Sequence, residues 1–180
     1  SAASDVYKRQ LIARMPGCCI CISTADCIPV LLYDRQRRIV AAVHAGWRGT
    51  VNRILAKTLH RMQSAYGTEG TDVIACIGPG ISLDSFEVGD EVYEAFRTEN
   101  FPMEYISVWK PETHKYHIDL WAANRLQLSD FGVPSRQIEN AGICTYRQHE
   151  DFFSARRLGI KSGRILSGIM LNGQEKGERK

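Results

Sequence analysis

A cysteine and a histidine in the first third of the chain are residue types that bind metal ions or act in catalysis. Sixteen residues separate Cys27 from His44. A thiolate and an imidazole are both ligands for Zn²⁺, and they equally suit a nucleophile and its general base. The carboxylate of Asp26, the neighbour of Cys27, would either orient His44 or a bound water, or cap the end of a strand. From the spacing alone, a metal site, a nucleophile–base pair and two unrelated residues remain open.

Two arginines are candidates for holding an anion. Arg48 lies in the glycine-containing segment 44–49, just ahead of a predicted helix. Free backbone N–H groups and the helix dipole attract anions there, and a guanidinium adds a bidentate partner for phosphate. The alternative is that Arg48 packs against Trp47. Arg157 follows Arg156 near the end of the chain, where phosphate binding, an ion pair and a subunit contact are all open interpretations.

The positions of Cys27 and His44 depend on a predicted β-hairpin. Apolar runs over residues 28–33 and 39–43 predict two strands, and the polar residues 34–38 predict the turn between them. This hairpin would bring Cys27 and His44 to the same end of one sheet. The spacing therefore allows the two side chains to reach the same site, and it also allows a buried cysteine with an unrelated histidine at a strand end.

The remaining apolar pattern predicts a mixed set of strands and helices. Thr50 is predicted to cap a helix of about four turns that Gly67 ends. A further strand is followed by Gly78 and Gly80, which predict a turn at the border of the candidate site. This turn is not a phosphate loop, because it lacks the Gly-Lys-Ser/Thr sequence that ends such a loop. Further strands are predicted at residues 18–23, 72–77, 105–109, 115–118, 136–139 and 164–171, and further helices at residues 89–97 and 119–131.

Composition narrows the function classes. The chain has 180 residues, of which 44% are hydrophobic and 24% charged, as in ordinary globular proteins. The net charge of +3 is too balanced to favour nucleic acid as a partner. No apolar run suggests a membrane span and no secretory signal is apparent, so reduced thiols in the cytoplasm are expected. The cysteines other than Cys27 are predicted to be small core residues: Cys18, Cys19, Cys21, Cys76 and Cys144.

The two ends of the chain differ from its middle. Residues 1–10 match no periodic pattern and are expected to be a non-native leader. Residues 11–172 are expected to form one domain whose N-terminal part is missing. Residues 173–180 are expected to be a polar tail.

Several sequence runs resemble one known family. The runs TADCIPVLL, AAVHAGWRGT, IGPGIS, FEVGDEV and FFSARR occur in this order and are similar to the polyphenol oxidase family, also called laccase-domain or YfiH-like. The resemblance covers residues 11–172. It implies a mixed α+β domain of stacked mixed β-sheets flanked by helices, the YfiH-like fold, and a cytoplasmic homodimer.

The resemblance also implies a zinc site. In the family, a cysteine and two histidines hold the zinc ion, and two of these ligands correspond to Cys27 and His44. The second histidine lies upstream of the cysteine, where this chain has none. The chain's other histidines are the only substitutes: His60, His114, His117 and His149. Copper is the alternative metal.

The activity implied by the resemblance is that of a purine nucleoside enzyme. Members phosphorolyse adenosine, inosine, guanosine and methylthioadenosine to the free base and a ribose 1-phosphate, and they deaminate adenosine to inosine. Asp26 would then be catalytic, and Arg48 and Arg157 would bind phosphate or substrate. The alternatives are a copper-dependent polyphenol oxidase, a cysteine hydrolase using Cys27 and His44, a metal-binding or dimerisation module, and an inactive fragment. This chain has Ala155 and Leu158 where the family more often has Tyr and Asp, so contacts made by those side chains would be lost.

Overall fold

A five-stranded mixed sheet lies at the centre of the computed structural model, which describes residues 10–173. Residues 1–9 of the predicted leader and residues 174–180 of the predicted tail lie outside the described residues. The central strands are β1 (Gln10–Ala13), β3 (Ile28–Asp34), β4 (Ile39–Ala45), β5 (Val73–Ile77) and β9 (Ile138–Asn140). Their order is β1-β4-β3-β5-β9, and only β9 runs parallel to its neighbour.

Two smaller antiparallel sheets accompany the central one. One contains β2 (Cys19–Thr24) and β10 (Ile165–Met170), and the other contains β6 (Glu87–Val88), β7 (Ser107–Lys110) and β8 (Lys115–Ile118). β2 and β10 both contact β4 of the central sheet. Strand β4 is therefore covered by more than its hydrogen-bonded neighbours, which explains the burial of both Ala41 and Ala42 on its opposite faces.

Six α-helices and three short 3-10 helices complete the described fold, the 3-10 helices being Gly70–Asp72, Leu83–Ser85 and Ser135–Gln137. The α-helices are α1 (Trp47–Val51), α2 (Ile54–Tyr66), α3 (Asp90–Thr98), α4 (Met103–Ile106), α5 (Leu120–Asp130) and α6 (Ala155–Leu158). The apolar face of α2, with Leu55, Leu59 and Met62 fully buried, packs near β4 and α5. The predicted mixed α+β domain of stacked sheets with flanking helices is confirmed. Among residues 10–173, no helix is both long enough and apolar enough to cross a bilayer.

The predicted hairpin forms around a side-chain-stabilised turn. The Oδ1 atom of Asp34 accepts hydrogen bonds from the backbone N–H groups of Gln36 and Arg37, at 3.0 and 2.9 Å. Arg38 adopts a left-handed φ of 51°. Short Asx-type turns of this kind favour tight reversals. The turn sets the register in which Pro29 pairs with His44.

The helix after this hairpin differs from the prediction. The first helix begins at Trp47, with Gly46 as its N-cap, and Thr50 lies inside it because the Thr50 N–H donates to the Gly46 carbonyl at 2.8 Å. Arg53 has a left-handed φ of 56° and separates α1 from α2. The single four-turn helix is thus two helices, and Thr50 is not a cap. Gly67 does end α2 with a left-handed φ of 73°, as predicted.

Two other expectations from the sequence need correction. Gln10, assigned to the leader, is the first residue of β1 and pairs with Val43 of β4. Among the predicted core cysteines, Cys19 and Cys76 are exposed and only Cys144 is buried. Both exposed cysteines lie on strands with one solvent-facing side, where apolar residue type does not decide burial.

Candidate functional site

The end of the β3–β4 hairpin brings Cys27 and His44 into one region. Cys27 immediately precedes β3, and His44 is the penultimate residue of β4, opposite Pro29. Both residues are partly exposed, whereas the His44 Nε2 atom is buried. The predicted hairpin placement of the two residues is confirmed. Their joint role as metal ligands stays a prediction.

Asp26 connects three segments of the chain beside Cys27. Its Oδ1 atom accepts a hydrogen bond from the Thr145 hydroxyl at 2.8 Å, and its Oδ2 atom accepts one from the Arg156 backbone N–H at 2.7 Å. Its backbone carbonyl accepts from the Ile81 N–H at 2.9 Å. Asp26 is only 9% exposed and has a left-handed φ of 76°. The carboxylate therefore holds the segment before Cys27 against Thr145 and Arg156. Its catalytic role stays a prediction.

Gly78 and Gly80 pack directly against the segment that carries Cys27. The Gly78 N–H donates to the Pro29 carbonyl at 2.8 Å. A Cβ atom on Gly80 would overlap the Ile28 side chain and lie 3.0 Å from the Asp26 carbonyl oxygen. The glycines let the turn approach the strand closely, which is the physical reason for glycine at such a place. The turn thus lies beside the candidate site.

Cys144 is a second thiol near this turn. It is 5% exposed, and its backbone forms an isolated bridge with Gly80. Burial raises the pKa of the Cys144 thiol, but hydrogen bonds with Ser82 and Ser85 outweigh it, and the net shift is downward. Any thiol-labelling test of Cys27 must therefore include a Cys144 control.

Arg48 lies in the first turn of α1, four residues after His44. Its side chain is exposed, and its guanidinium carbon lies 4.3 Å from the centre of the Trp47 ring. Within residues 10–173, no carboxylate forms an ion pair with this guanidinium. Stacking on an aromatic ring leaves the in-plane N–H groups of an arginine open to an anion. The packing contact and the anion-binding role are therefore compatible.

The two neighbouring arginines Arg156 and Arg157 make different contacts. The Arg156 guanidinium donates to the Glu87 carbonyl at 2.9 Å, and its backbone N–H donates to Asp26. The Arg157 guanidinium donates to the Tyr146 hydroxyl at 3.3 Å and lies 5.2 Å from the centre of that ring. Both arginines belong to α6, which Ser154 caps through the Arg157 N–H. The candidate Arg157 is thus exposed and fixed beside Tyr146.

A cleft of about 410 Å³ is lined in part by Arg156. Neither Cys27 nor His44 lines this cleft. Within it, the His117 Nδ1 atom lies 3.0 Å from the Leu83 carbonyl and its Nε2 atom lies 3.8 Å from a Glu87 carboxylate oxygen. Its lining residues are Asp84, Ser85, Glu87, His117, Tyr146, Arg147 and Arg156. The mixture of both charges favours a polar ligand over an apolar one.

The four substitute histidines do not complete a metal site. His60 and His114 are exposed and make edge contacts with Phe131 and Trp109, respectively. His117 faces Glu87, and His149 is partly exposed. Within the part of the chain that the structure describes, no three His, Cys, Asp or Glu residues lie together as ligands for one ion. Within residues 10–173, Cys27 and His44 are therefore not part of a three-residue ligand group of these types.

Thr145 and Tyr146 are the neighbours of the site that sequence reasoning missed. Thr145 is fully buried and donates to Asp26 across 119 positions of sequence, and Tyr146 supports Arg157. No local pattern connects residues so far apart. The family-like run that ends in Arg156 and Arg157 was the only nearby signal.

Comparison with known proteins places the chain in a family. Residues 8–172 match the family model described as multi-copper polyphenol oxidoreductase laccase. The chain is 65% identical to a purine nucleoside phosphorylase of Bacteroides thetaiotaomicron over 162 residues, covering 90% of this chain and 60% of that protein. It is 49% identical to adenosine deaminase RL5 from an unknown prokaryotic organism, covering 88% of this chain and 60% of that protein.

The fold of the chain is also similar to that of solved structures. The crystal structure of YlmD from Geobacillus stearothermophilus superposes with a TM-score of 0.85 at 30% identity, covering 92% of this chain and 61% of that one. The chain thus spans about three fifths of the length of the curated relatives it matches. From the family match and these likenesses together, the chain belongs to the multi-copper polyphenol oxidoreductase laccase family.

Proposed function

We propose that this chain carries the active-site region of a zinc-dependent purine nucleoside enzyme. Its reactions are phosphorolysis of adenosine, inosine, guanosine and methylthioadenosine, and deamination of adenosine to inosine. A relative 65% identical is named a purine nucleoside phosphorylase, and one 49% identical is named an adenosine deaminase. Phosphate is the second substrate, and a cytoplasmic homodimer is the proposed working form.

One structural observation carries this proposal. The β3–β4 hairpin ends with Cys27 and His44, and the chain then turns directly into α1 with Arg48 exposed in its first turn. A purine nucleoside enzyme of this kind needs a metal-binding region and an anion-binding group close to each other. The hairpin supplies candidate residues for both within 22 positions of sequence, from 27 to 48.

The proposed zinc ion fits the described residues only in part. Thiolate and imidazole are suitable zinc donors, and catalytic zinc commonly has three protein ligands and one open position. Cys27 and His44 would supply two of them, and residues 10–173 bring no third His, Cys, Asp or Glu to them. The chain's own residues therefore act mainly on the phosphate side of the proposed site.

In phosphorolysis, a phosphate oxygen forms a bond to C1′ of the ribose while the bond from C1′ to the purine nitrogen breaks. The purine leaves with the electron pair of that bond and takes up a proton. Arg48 would hold the phosphate through two parallel N–H···O hydrogen bonds and so position it for attack. Trp47 beneath the guanidinium would restrict the orientation of that fork.

The residues around Asp26 would hold the segment that carries Cys27 in a fixed position during this reaction. The Asp26 carboxylate is held by Thr145 and by the Arg156 N–H, so the segment before Cys27 has little freedom to move. Arg157, fixed against Tyr146, is the second candidate for contact with phosphate or substrate. Deamination replaces the 6-amino group of adenine by oxygen from water and releases ammonia, and it needs no phosphate.

A copper-dependent polyphenol oxidase is the second candidate, because the family description names copper and polyphenol. A thiolate and an imidazole also suit copper. Enzymes with several coppers hold them largely through histidines, and this chain has five histidines in all. The two candidates differ in substrate, so one set of assays separates them.

The test is a comparison of variants of the full-length gene product. Inosine and phosphate should give hypoxanthine and ribose 1-phosphate, detected by chromatography. His44→Ala and Cys27→Ser should lower this activity by at least about a hundredfold, as expected when a metal ligand is lost. His60→Ala and Cys76→Ser, on exposed surfaces elsewhere, should retain it.

Other outcomes identify the alternatives. Full phosphorolysis in both His44→Ala and Cys27→Ser would overturn the proposed site. Oxidation of a phenol that depends on added copper, without phosphorolysis, would favour the oxidase. Inactivation by iodoacetamide at Cys27 that zinc does not affect would favour a cysteine hydrolase, provided that Cys144→Ser behaves like the parent.

A further inference from the structure

Two cysteines that are not part of the candidate site lie side by side on strand β2. Cys19 and Cys21 are alternate residues of β2 and therefore project from the same face. Their Sγ atoms are 3.5 Å apart. Cys19 is exposed and Cys21 is partly exposed. The pair is thus an accessible dithiol.

The neighbouring strand β10 leaves room for both sulfurs. Gly168 of β10 pairs with Cys21 in the antiparallel register. A Cβ atom on Gly168 would lie 2.6 Å from the Cys21 Sγ and 3.1 Å from the Cys19 Sγ. Glycine weakens a strand unless something else approaches closely, and here the two thiols occupy the place of the missing side chain. The dithiol is therefore accommodated by its neighbours as a pair.

The separation of the two sulfurs suits one shared ion. Two sulfurs held by one ion through metal–sulfur bonds of about 2.3 Å lie roughly 3.8 Å apart when the S–metal–S angle is tetrahedral and roughly 4.6 Å apart when it is linear. The observed 3.5 Å is within about 0.3 Å of the bent arrangement, which leaves a place beside the ion for a third donor.

The surroundings select the kind of ion. Met170 pairs with Cys19 on the neighbouring strand β10, so its thioether is on the same face of the sheet as the dithiol. Within residues 10–173, no His, Asp or Glu joins the two cysteines to form a three-residue ligand group. Structural zinc requires four ligands, whereas soft sulfur donors select monovalent copper and ions like it.

We propose that Cys19 and Cys21 form a binding site for a soft monovalent metal ion such as Cu⁺ or Ag⁺. On binding, the two S–H bonds break, two metal–sulfur bonds form, and two protons pass to solvent. No electron is transferred. The site is independent of the proposed enzymatic function, because it lies on β2 and uses neither Cys27 nor His44.

The acidity of the pair gives the binding a pH dependence. The hydrogen bond with Cys19 raises the pKa of the Cys21 thiol above its ordinary value, and burial adds to the shift. The protein group that faces the pair from β10 is Gly168, which has no charge. Because protons must leave, affinity should rise with pH, by up to about tenfold per unit for each proton released.

The experiment uses the 180-residue chain with Cys27→Ser as the parent, so that the candidate enzymatic site does not compete. Ag⁺ is titrated into the reduced protein without oxygen, against a chromophoric chelator, and Cu⁺ is tested in the same way. The parent should take up one ion tightly. Cys19→Ser and Cys21→Ser should each weaken that binding by at least about a hundredfold, since one of two donors is lost.

Two further variants distinguish a paired site from ordinary thiol affinity. Cys76→Ser removes a solitary exposed cysteine on β5 and should leave the tight binding unchanged. Gly168→Ala should weaken it by about tenfold, because the new Cβ would displace both sulfurs. Equal affinity in the parent and in Cys19→Ser/Cys21→Ser would overturn the proposal, and so would loss of tight binding in Cys76→Ser alone.

Discussion

Arg48 combines exposure, a free fork of N–H groups and closeness in sequence to His44. The five-residue α1 offers only a short stretch of aligned peptide dipoles, so the guanidinium itself is the main attraction for an anion. Sequence reasoning placed Arg48 in a turn before the helix, and the structure places it within the first turn. This shift leaves its side chain accessible.

Replacement of Arg48 by alanine should separate the two proposed activities. Charge-assisted hydrogen bonds contribute about 1.5–3 kcal/mol each, so Arg48→Ala should weaken apparent phosphate affinity by about tenfold to a hundredfold. Deamination of adenosine uses water and should change much less. Arg48→Lys should restore only part of the loss, because the planar fork is absent. Steady-state kinetics against phosphate and against adenosine measure both effects.

The matched control is Arg61→Ala, which removes an exposed arginine from α2. It should leave both activities unchanged. An Arg48→Ala protein with full phosphorolysis would contradict the proposed role. Equal loss of both activities in a folded, zinc-binding Arg48→Ala protein would instead make Arg48 a structural residue.

Asp26 should contribute strongly to stability. Asp26→Ala removes the acceptor for a buried threonine hydroxyl and for a backbone N–H, and it puts alanine at a left-handed φ of 76°. The expected loss in the free energy of unfolding is roughly 2–5 kcal/mol. Asp26→Asn keeps one acceptor and tolerates that backbone, so it should lose about half as much. Urea denaturation measures both, with the exposed Asp151→Asn as a neutral control.

At the scale of elements, local patterns predicted most strands and helices and missed what tertiary contacts decide. The β3–β4 hairpin follows from two apolar runs and a turn that Asp34 stabilises with its own side chain. The break at Arg53 has no glycine or proline to announce it; its guanidinium lies over Phe101 and bonds to the Glu99 carbonyl, contacts remote in sequence. β1 was missed because its four residues depend on pairing with β4.

The candidate site was likewise predictable only where its residues lie at the ends of elements that the sequence reveals. Cys27 and His44 stand at the ends of strands that the sequence itself reveals, so their shared location followed from the hairpin. The hydrogen bonds of Asp26 with Thr145 and Arg156 did not follow, because they join residues more than 100 positions apart. Such contacts depend on how the last third of the chain packs, which periodicity does not report.

The turn over residues 78–80 provides a prediction at this scale. Gly80→Ala should lower the free energy of unfolding by about 1–3 kcal/mol, because its Cβ would meet the fully buried Ile28 and the Asp26 carbonyl. Gly173→Ala is the control, since nothing lies within 4 Å of the added carbon. Thermal unfolding of both variants should show a clear drop for Gly80→Ala alone. Equal stability of the two would mean that the turn adapts without cost.

At the scale of the whole molecule, the chain corresponds to about 60% of the length of its curated relatives. Its central sheet and helices nevertheless superpose on a solved relative with a TM-score of 0.85. The fold is therefore that of the family across the described residues. The proposed ligand set at Cys27 and His44 is where the chain would differ from a three-ligand zinc site.

Zinc affinity should reveal that difference. Structural zinc sites with four ligands gain roughly 10–16 kcal/mol, so one ligand contributes roughly 3 kcal/mol, or about a hundredfold in affinity. The 180-residue chain should therefore bind zinc at least about a hundredfold more weakly than the full-length gene product, if the latter adds the third ligand. Metal analysis after dialysis, with a competing chelator, measures both proteins. In a chain that also carries Cys19→Ser/Cys21→Ser, so that the dithiol on β2 does not compete, Cys27→Ser and His44→Ala should abolish the remaining affinity, whereas His60→Ala should leave it unchanged. Tight, stoichiometric zinc in the 180-residue chain would contradict this expectation, and loss of that zinc in His114→Ala or His117→Ala would identify the residue that completes the site.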